Sequence, residues 1–404
     1  MTTHPGYVAR AAAIAVPLLT FQTSVLASLL VLLPALPLLA LPSCRARRLF
    51  SSFAGQLQLA WFGFAVACLR YGLGTKTFVH TASPDVISQL TTLQDALVVC
   101  NHRTRVDWMF LWGLFAAMRR LSGLKIALKS SLRSVPGFGW ACQCFGFAFM
   151  SRSNRSQDLG CITSILKMHC GDRVAGPVAF LLFPEGTDCS DEQLKRSAAY
   201  AAKEGLQQYK FVLHPRTAGF AASWAALCES SPDGCTPSLV NVTIAYVDYT
   251  PGERPSEATI FLKGRCPREV HLHIEVLTPS SAASTLCQRL FAEKEARLAA
   301  FYGHVGNGQG PDIEGFAKSP GAAKSSHTTV VLDAIPAVRA AMLWGFACML
   351  CLEIASGMLA WYAGLVWAVL LTIALATLFI LVIKATGGID QLLLRHSEKF
   401  PCGV

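Results

Sequence analysis

A histidine and an aspartate stand at positions 102 and 107, within Asn101-His102-Arg103-Thr104-Arg105-Val106-Asp107-Trp108. The run before them, Ala96 to Cys100, is apolar and strand-like, so His102 is expected where a buried strand ends and a helix begins. Residues at this spacing do not share a helix face. Across a strand-to-helix turn, however, the carboxylate can swing back and fix the imidazole's tautomer, and such a pair makes a general base. Spacing alone is a weak signal, because His80 and Asp85 repeat it with Pro84 between them and no strand expected before them. What favours His102 is its setting: a strand before it, an aromatic helix after it, and further polar blocks downstream.

Three such blocks follow. Gly146 to Ser151 is mostly apolar and delivers Arg152, whose planar fork suits a phosphate, with Arg155 close behind. Upstream, Lys129 and the turn Pro136 to Trp140 offer a second cation and an aromatic wall. The expected strand Val178 to Phe183 runs into Pro184-Glu185-Gly186-Thr187, a tight turn in which Gly186 permits close backbone approach and Glu185 is a fixed acceptor. Another expected strand, Phe211 to His214, leads into Pro215, Arg216 and Thr217. Strand ends carrying polar groups converge on one crevice in open α/β sheets.

The elements that must position these residues alternate between strands and helices. Val240 to Tyr249 and Val270 to Leu277 complete the expected strands, giving an α/β fold with a mixed sheet and flanking helices. On the last of these, His271, His273 and Glu275 share one face. They are metal-ligand types, but no matching Cys or His pair occurs elsewhere, so the expectation is a solvated strand face and no metal.

Hydrophobic residues make up 52% of the 404 and charged residues 15%, against about a quarter charged in ordinary soluble proteins. A membrane is implied. Ala11 to Pro42 carries no charge and exceeds the roughly 20 residues a spanning helix needs. Arg45, Arg47 and Arg48 follow it, against Arg10 before it, which places the following region in the cytosol. Leu59 to Leu73, interrupted by Arg70, is expected to lie along the bilayer or to enter and return. Ala337 to Ala363 and Leu365 to Ile383 form a helical hairpin, and Glu353 within it is either a functional carboxylate or a helix–helix contact.

Residues 1–79 are thus expected to be an anchor and interfacial segment and 80–302 the catalytic domain. Residues 303–336, rich in Gly, Pro, Ser and Lys at their start, are expected to be a flexible linker, and 337–404 the terminal hairpin and tail. The basic surplus, 35 against 25, suits anionic phosphates, but there is no basic helix or aromatic-interleaved stripe for nucleic acid. The fifteen cysteines lack zinc or disulfide spacing and read as buried thiols in a reducing compartment. No Gly-x-Ser-x-Gly elbow suggests a hydrolase.

Taken in order, the blocks Asn101-His102-x4-Asp107, Arg152, Pro184-Glu185-Gly186-Thr187 and His214-Pro215-Arg216-Thr217 resemble those of the glycerophospholipid acyltransferase family over roughly residues 95–280. Pro-Glu-Gly-Thr-Asp and His-Pro-Arg-Thr-x-Gly-Phe look most like its lysocardiolipin acyltransferase branch. The resemblance implies acyl-CoA as co-substrate without a further cofactor, a lysophospholipid acceptor, and a membrane of the endoplasmic reticulum, with the mitochondrial membrane as the alternative. It implies His102 and Asp107 as the catalytic pair, and substrate contacts from Arg152, Glu185, Gly186, Thr187, Lys129 and Arg216. Many members carry Arg after Glu-Gly-Thr, where this chain has Asp188. That reversed charge disfavours a phosphomonoester and suits lysocardiolipin, lysophosphatidylinositol or lysophosphatidylglycerol. A 1-acylglycerol-3-phosphate acyltransferase and a non-catalytic lipid-binding scaffold are the rival readings.

Overall fold

The computed structural model describes residues 7–82, 85–174, 176–231, 235–248, 256–263, 265–278, 284–303, 310–318 and 327–402. Eight strands, β1 (Lys76–Thr81), β2 (Ala96–Cys100), β3 (Leu124–Lys129), β4 (Ala148–Met150), β5 (Ala179–Leu182), β6 (Ser238–Tyr246), β7 (Glu269–Leu277) and β8 (Thr328–Val331), form one sheet in the order β4-β3-β5-β2-β6-β7-β1-β8. From β4 to β6 every pairing is parallel, with Ala96 level with both Ala179 and Ser238. β7 is antiparallel to β6, β1 parallel to β7, and β8 antiparallel to β1. The strands from β4 to β6 therefore all end on one edge.

Residues of β2, β5 and β6 are buried throughout, as expected of strands covered on both faces. The chain passes from β2 to β3 in one direction along the sheet and from β4 to β5 in the other. Right-handed crossovers then set the helix Asp107–Ala117 and the helix Arg155–Asp172 on opposite faces. The helix Thr217–Ser230 packs beside the second of these, and Ser284–Tyr302 packs against Thr217–Ser230. Behind Asp107–Ala117 lie the long helices Cys44–Ala67 and Pro336–Ala363.

Several expectations are corrected. Phe211 to His214 is not a strand: the N–H groups of Lys210, Phe211 and Val212 donate to the Glu295 carboxylate, and that of Leu213 to Glu185, so side chains take the bonds a neighbouring strand would have made. His80, expected without a strand before it, lies inside β1. The face carrying His271 and His273 is buried rather than solvated, because β1 and β8 extend the sheet past it and Phe301 and Phe316 cover it. His80 Nε2 and His271 Nδ1 are hydrogen-bonded at 2.8 Å. Burial drives His80 down to about 3 and His273 down to about 2, so both are neutral. Within 303–336, where composition suggests a flexible linker, the described residues include the helix Ile313–Ala317 and strand β8; 304–309 and 319–326 lie outside the described residues.

Among the described residues, four helical stretches are long and apolar enough to cross a membrane: Leu18–Ala40, Cys44–Gly72, Pro336–Ala363 and Leu365–Thr386. Leu59 to Leu73, expected to be interfacial or re-entrant, belongs almost wholly to the second, which ends in a π-helical turn, Cys68–Gly72. The hairpin turns at Gly364, whose φ of +82° favours glycine. Trp361, Tyr362, Leu365, Val366 and Trp367 are exposed around that turn, an apolar surface suited to lipid rather than water. Glu353 accepts a hydrogen bond from Gln22 Nε2 at 2.8 Å, joining the hairpin to the N-terminal helix.

Candidate active site

His102 leaves the end of β2, and the preceding Asn101 fixes how it leaves. The Asn101 side chain accepts from Ile244 N at 2.9 Å and donates to Ile244 O at 3.2 Å, continuing the β2–β6 ladder by one side-chain rung. The imidazole stacks on Phe183 with ring centroids 4.3 Å apart and retains 14% side-chain exposure. Its Nδ1 lies 3.0 Å from Asp107 Oδ2.

Asp107 is fully buried at the first turn of its helix, where the helix dipole favours a negative charge. It accepts from Thr104 N at 2.9 Å, from Thr104 Oγ1 at 3.0 Å and from the Tyr246 hydroxyl. With Nδ1 turned to the Asp107 carboxylate, Nε2 is the ring nitrogen of His102 not engaged with Asp107. Burial, with Asp107's charge beside it, pushes the Tyr246 phenol well up, so it stays a donor. Tyr302 and Arg103 extend the support: the Tyr302 hydroxyl meets the Tyr246 backbone, and the Arg103 guanidinium lies 4.1 Å over the Tyr302 ring.

Glu185 follows β5, the neighbour of β2. Its two oxygens accept backbone N–H groups from opposite sides, His102 at 2.7 Å and Leu213 at 3.0 Å. Burial pushes this carboxyl up to about 8, while the two N–H bonds oppose the rise. Lys294, itself lowered by burial to about 8, adds a further opposing charge. Both Glu185 oxygens are thus occupied by backbone, and the residue ties the His102 turn to the loop after residue 210.

A cavity of about 780 Å³ opens at this edge, lined by His102, Arg152, Glu185, Gly186, Thr187 and Arg216 among others. Its lining is part apolar, with Ala127, Met150, Leu159, Ile162 and Leu182, and part cationic, with Arg152, Arg155, Arg196 and Arg216. A base in a cavity lined by apolar side chains and arginines suits deprotonation of a hydroxyl on an amphiphilic anion. Arg152 follows β4 in the left-handed region, φ +62°, held there by Asp158, which accepts the N–H groups of Ser151 at 2.7 Å and Arg152 at 2.8 Å.

The family model described as Acyltransferase matches residues 85–223, a range that includes each of these cavity residues. Lysocardiolipin acyltransferase 1 of Danio rerio is 37% identical over 286 residues, covering 69% of this chain and 68% of that protein. The protein of the same name from Mus musculus is 34% identical over 291 residues, covering 70% of this chain and 72% of its own length. Lysophosphatidylinositol acyltransferase 10 of Caenorhabditis elegans is 35% identical over 215 residues, covering 51% of this chain and 53% of its own. This chain belongs to the glycerophospholipid acyltransferase family.

In this acyltransferase the sheet edge gathers His102, Arg152, Glu185, Gly186, Thr187 and Arg216, but not Lys129, which ends β3 with an exposed side chain and does not line the cavity. Asp188 is also outside the lining; its carboxylate lies 4.0 Å from Arg105 Nε. Sequence reasoning missed Tyr246, Thr104 and Phe183. Thr104 was within reach, since a Ser or Thr three residues before an Asp at a helix start signals a local hydrogen bond. Tyr246 lies on a strand far along the chain, and no local pattern marks it.

Proposed function

We propose that the enzyme transfers a fatty acyl group from acyl-CoA to a free hydroxyl of a lysophospholipid, with His102 as general base and Asp107 as its orienting carboxylate. The observation that carries this reading is the His102–Asp107 hydrogen bond at a cavity whose lining combines apolar side chains and arginines. His102 Nε2 takes the proton of the acceptor hydroxyl as its oxygen attacks the thioester carbonyl. The tetrahedral intermediate then collapses: the carbon–sulfur bond breaks, and the CoA thiolate leaves with the proton returned by the imidazolium. No acyl-enzyme forms, and Asp107 stays ionised throughout.

Arg152 holds the acceptor's phosphate, and Gly186 and Thr187 shape the pocket beside it. The acceptor carries a phosphodiester or polyol headgroup, as lysocardiolipin, lysophosphatidylinositol and lysophosphatidylglycerol do. Asp188 beside the cavity adds negative charge next to Arg152, which disfavours a dianionic phosphomonoester. The apolar helices keep the enzyme in the membrane that holds its substrate, which we assign to the endoplasmic reticulum with the catalytic domain facing the cytosol.

An acceptor panel tests the reading. Membranes containing the protein receive labelled oleoyl-CoA with lysophosphatidylinositol, lysophosphatidylglycerol, lysocardiolipin or lysophosphatidic acid. Transfer to the first three above lysophosphatidic acid is expected; preference for lysophosphatidic acid would overturn the headgroup assignment, and labelling of no lysolipid would overturn the activity.

A further inference from the structure

Strand β6 runs past the end of β2, and side chains supply the rungs that its backbone would otherwise lack. Cys100, the last residue of β2, is level with Val242. Two residues along β6, the Asn101 side chain takes both backbone groups of Ile244. Two further along, the Tyr302 hydroxyl does the same for Tyr246, accepting from its N–H at 2.9 Å and donating to its carbonyl at 3.2 Å. The Arg103 guanidinium lies 4.1 Å over the Tyr302 ring, and Arg103 directly follows His102 in the chain. The end of β6 is thereby fixed against the turn that carries the base.

The Tyr246 ring packs T-shaped on Phe110 of the helix Asp107–Ala117, with centroids 5.6 Å apart. From there its hydroxyl reaches Asp107 Oδ1, which also accepts from Thr104 Oγ1 at 3.0 Å. Oδ2 accepts from Thr104 N at 2.9 Å and lies 3.0 Å from His102 Nδ1. Tyr246, Thr104 and Asp107 are all buried. A phenylalanine at 246 would fill the same space with no polar group to satisfy, whereas a buried phenol costs free energy unless it is hydrogen-bonded. The hydroxyl therefore adds something that ring packing does not. Thr104 belongs to the same turn as Asp107 and moves with it, but Tyr246 comes from the sheet, so its hydroxyl ties one carboxylate oxygen to a rigid frame.

We propose that Tyr246 is a positioning residue for the catalytic pair: its hydroxyl holds Asp107 Oδ1 to the sheet, so that Oδ2 is presented to His102 Nδ1. This rests on the function proposed above and deepens its account of the base. A donor on Oδ1 also draws on carboxylate charge that would otherwise act on the imidazolium, so the hydroxyl governs how readily His102 takes a proton. Cys100, Arg103, Glu185, Lys294 and Tyr302 also lie around this pair, and the variants below leave them unaltered.

The titration of His102 itself tests this without turnover. Diethyl pyrocarbonate modifies the neutral imidazole, and mass spectrometry of the peptide containing His102, over a series of pH values, gives its midpoint in the full-length protein in detergent. Tyr246→Phe is expected to raise that midpoint by about 0.5 to 1 unit, part of the worth of a hydrogen bond to a charged group. Replacing Tyr246 by a ring-fluorinated tyrosine, a stronger donor of nearly the same size, should lower the midpoint, and it keeps the test available if Tyr246→Phe does not fold. In steady-state acyl transfer, Tyr246→Phe should reduce kcat roughly 10-fold with KM for lysophosphatidylglycerol within about 2-fold. Midpoints unmoved in both variants, or moved in the same direction, would overturn the positioning role, as would a loss of kcat with an unmoved midpoint. A wild-type protein that transfers no acyl group while the two variants shift His102 in opposite directions would overturn the proposed function and leave the role of Tyr246 standing.

Discussion

Asp107 takes four hydrogen bonds, from His102 Nδ1, Thr104 N, Thr104 Oγ1 and Tyr246, two on each oxygen. Asp107→Asn keeps the shape but turns one acceptor into a donor, so His102 loses the partner that fixes its tautomer. Acyl transfer should fall in kcat by about 10²- to 10⁴-fold with acceptor KM little changed; steady-state kinetics showing near wild-type kcat would refute the orienting role. Glu185 makes a separate prediction through pH. Its folded-state carboxyl is raised to about 8, above the ordinary 4.5, so folded protein holds the proton more tightly than unfolded chain between those values. The associated stability is full below about pH 4.5 and is lost as pH rises through 8. Melting temperatures from pH 5 to 9 should therefore decline more steeply in the wild type than in Glu185→Gln; parallel curves would show that Glu185 does not titrate there. His102, Arg152 and Glu185 are legible in the sequence because each stands just past an apolar run, and Asp107 through its spacing from His102. The bridge Glu185 makes between His102 and Leu213 is not, since both its partners are backbone atoms.

At the scale of elements, β2 and β5, which are unbroken apolar runs, β6, which is mostly apolar, and β7, which alternates, are readable, whereas β1, β3, β4 and β8 are short or carry polar residues and are not. Phe211 to His214 has the right residues for a strand, but Glu295 and Glu185 take up its amides, a long-range decision that local pattern does not hold. The long helices show the same limit. Cys44–Gly72 and Pro336–Ala363 cross where Gly63 and Gly345 face each other's backbones: a Cβ on Gly345 would lie 2.2 Å from Phe64 N and 2.4 Å from Ala60 O. Small residues permit such close helix approach in membranes. Gly345→Leu should separate the two helices, seen as a lower melting temperature and less folded protein recovered in detergent. A variant with wild-type melting would show that this crossing contributes little.

Over the whole molecule, the second long helix and the C-terminal tail are both tied to segments that flank the sheet. Arg47, buried near the start of the second long helix, pairs with Asp172 at 2.6 and 2.8 Å and donates to His396 O and Phe400 O of the C-terminal tail. Arg133, after β3, holds Asp390 at 2.5 Å, where the tail begins. Removing one partner of a buried pair leaves an uncompensated charge, so Arg47→Ala should cost about 3–5 kcal/mol; a denaturation midpoint unchanged from wild type would contradict this. The sequence announces the apolar helices and the polar blocks separately, and their joining through Arg47 and Arg133 depends on pairs 125 and 257 residues apart. The long helices are apolar enough to cross a bilayer, and the sheet edge gathers His102, Arg152, Arg216 and apolar side chains in one cavity. The most direct test of that arrangement is acyl transfer from labelled oleoyl-CoA to lysophosphatidylglycerol in membranes carrying equal amounts of the wild type or His102→Ala. Transfer by the wild type with at least a roughly 100-fold loss in the variant is the expected result; equal transfer by both, at matched membrane insertion, would contradict His102 as the base.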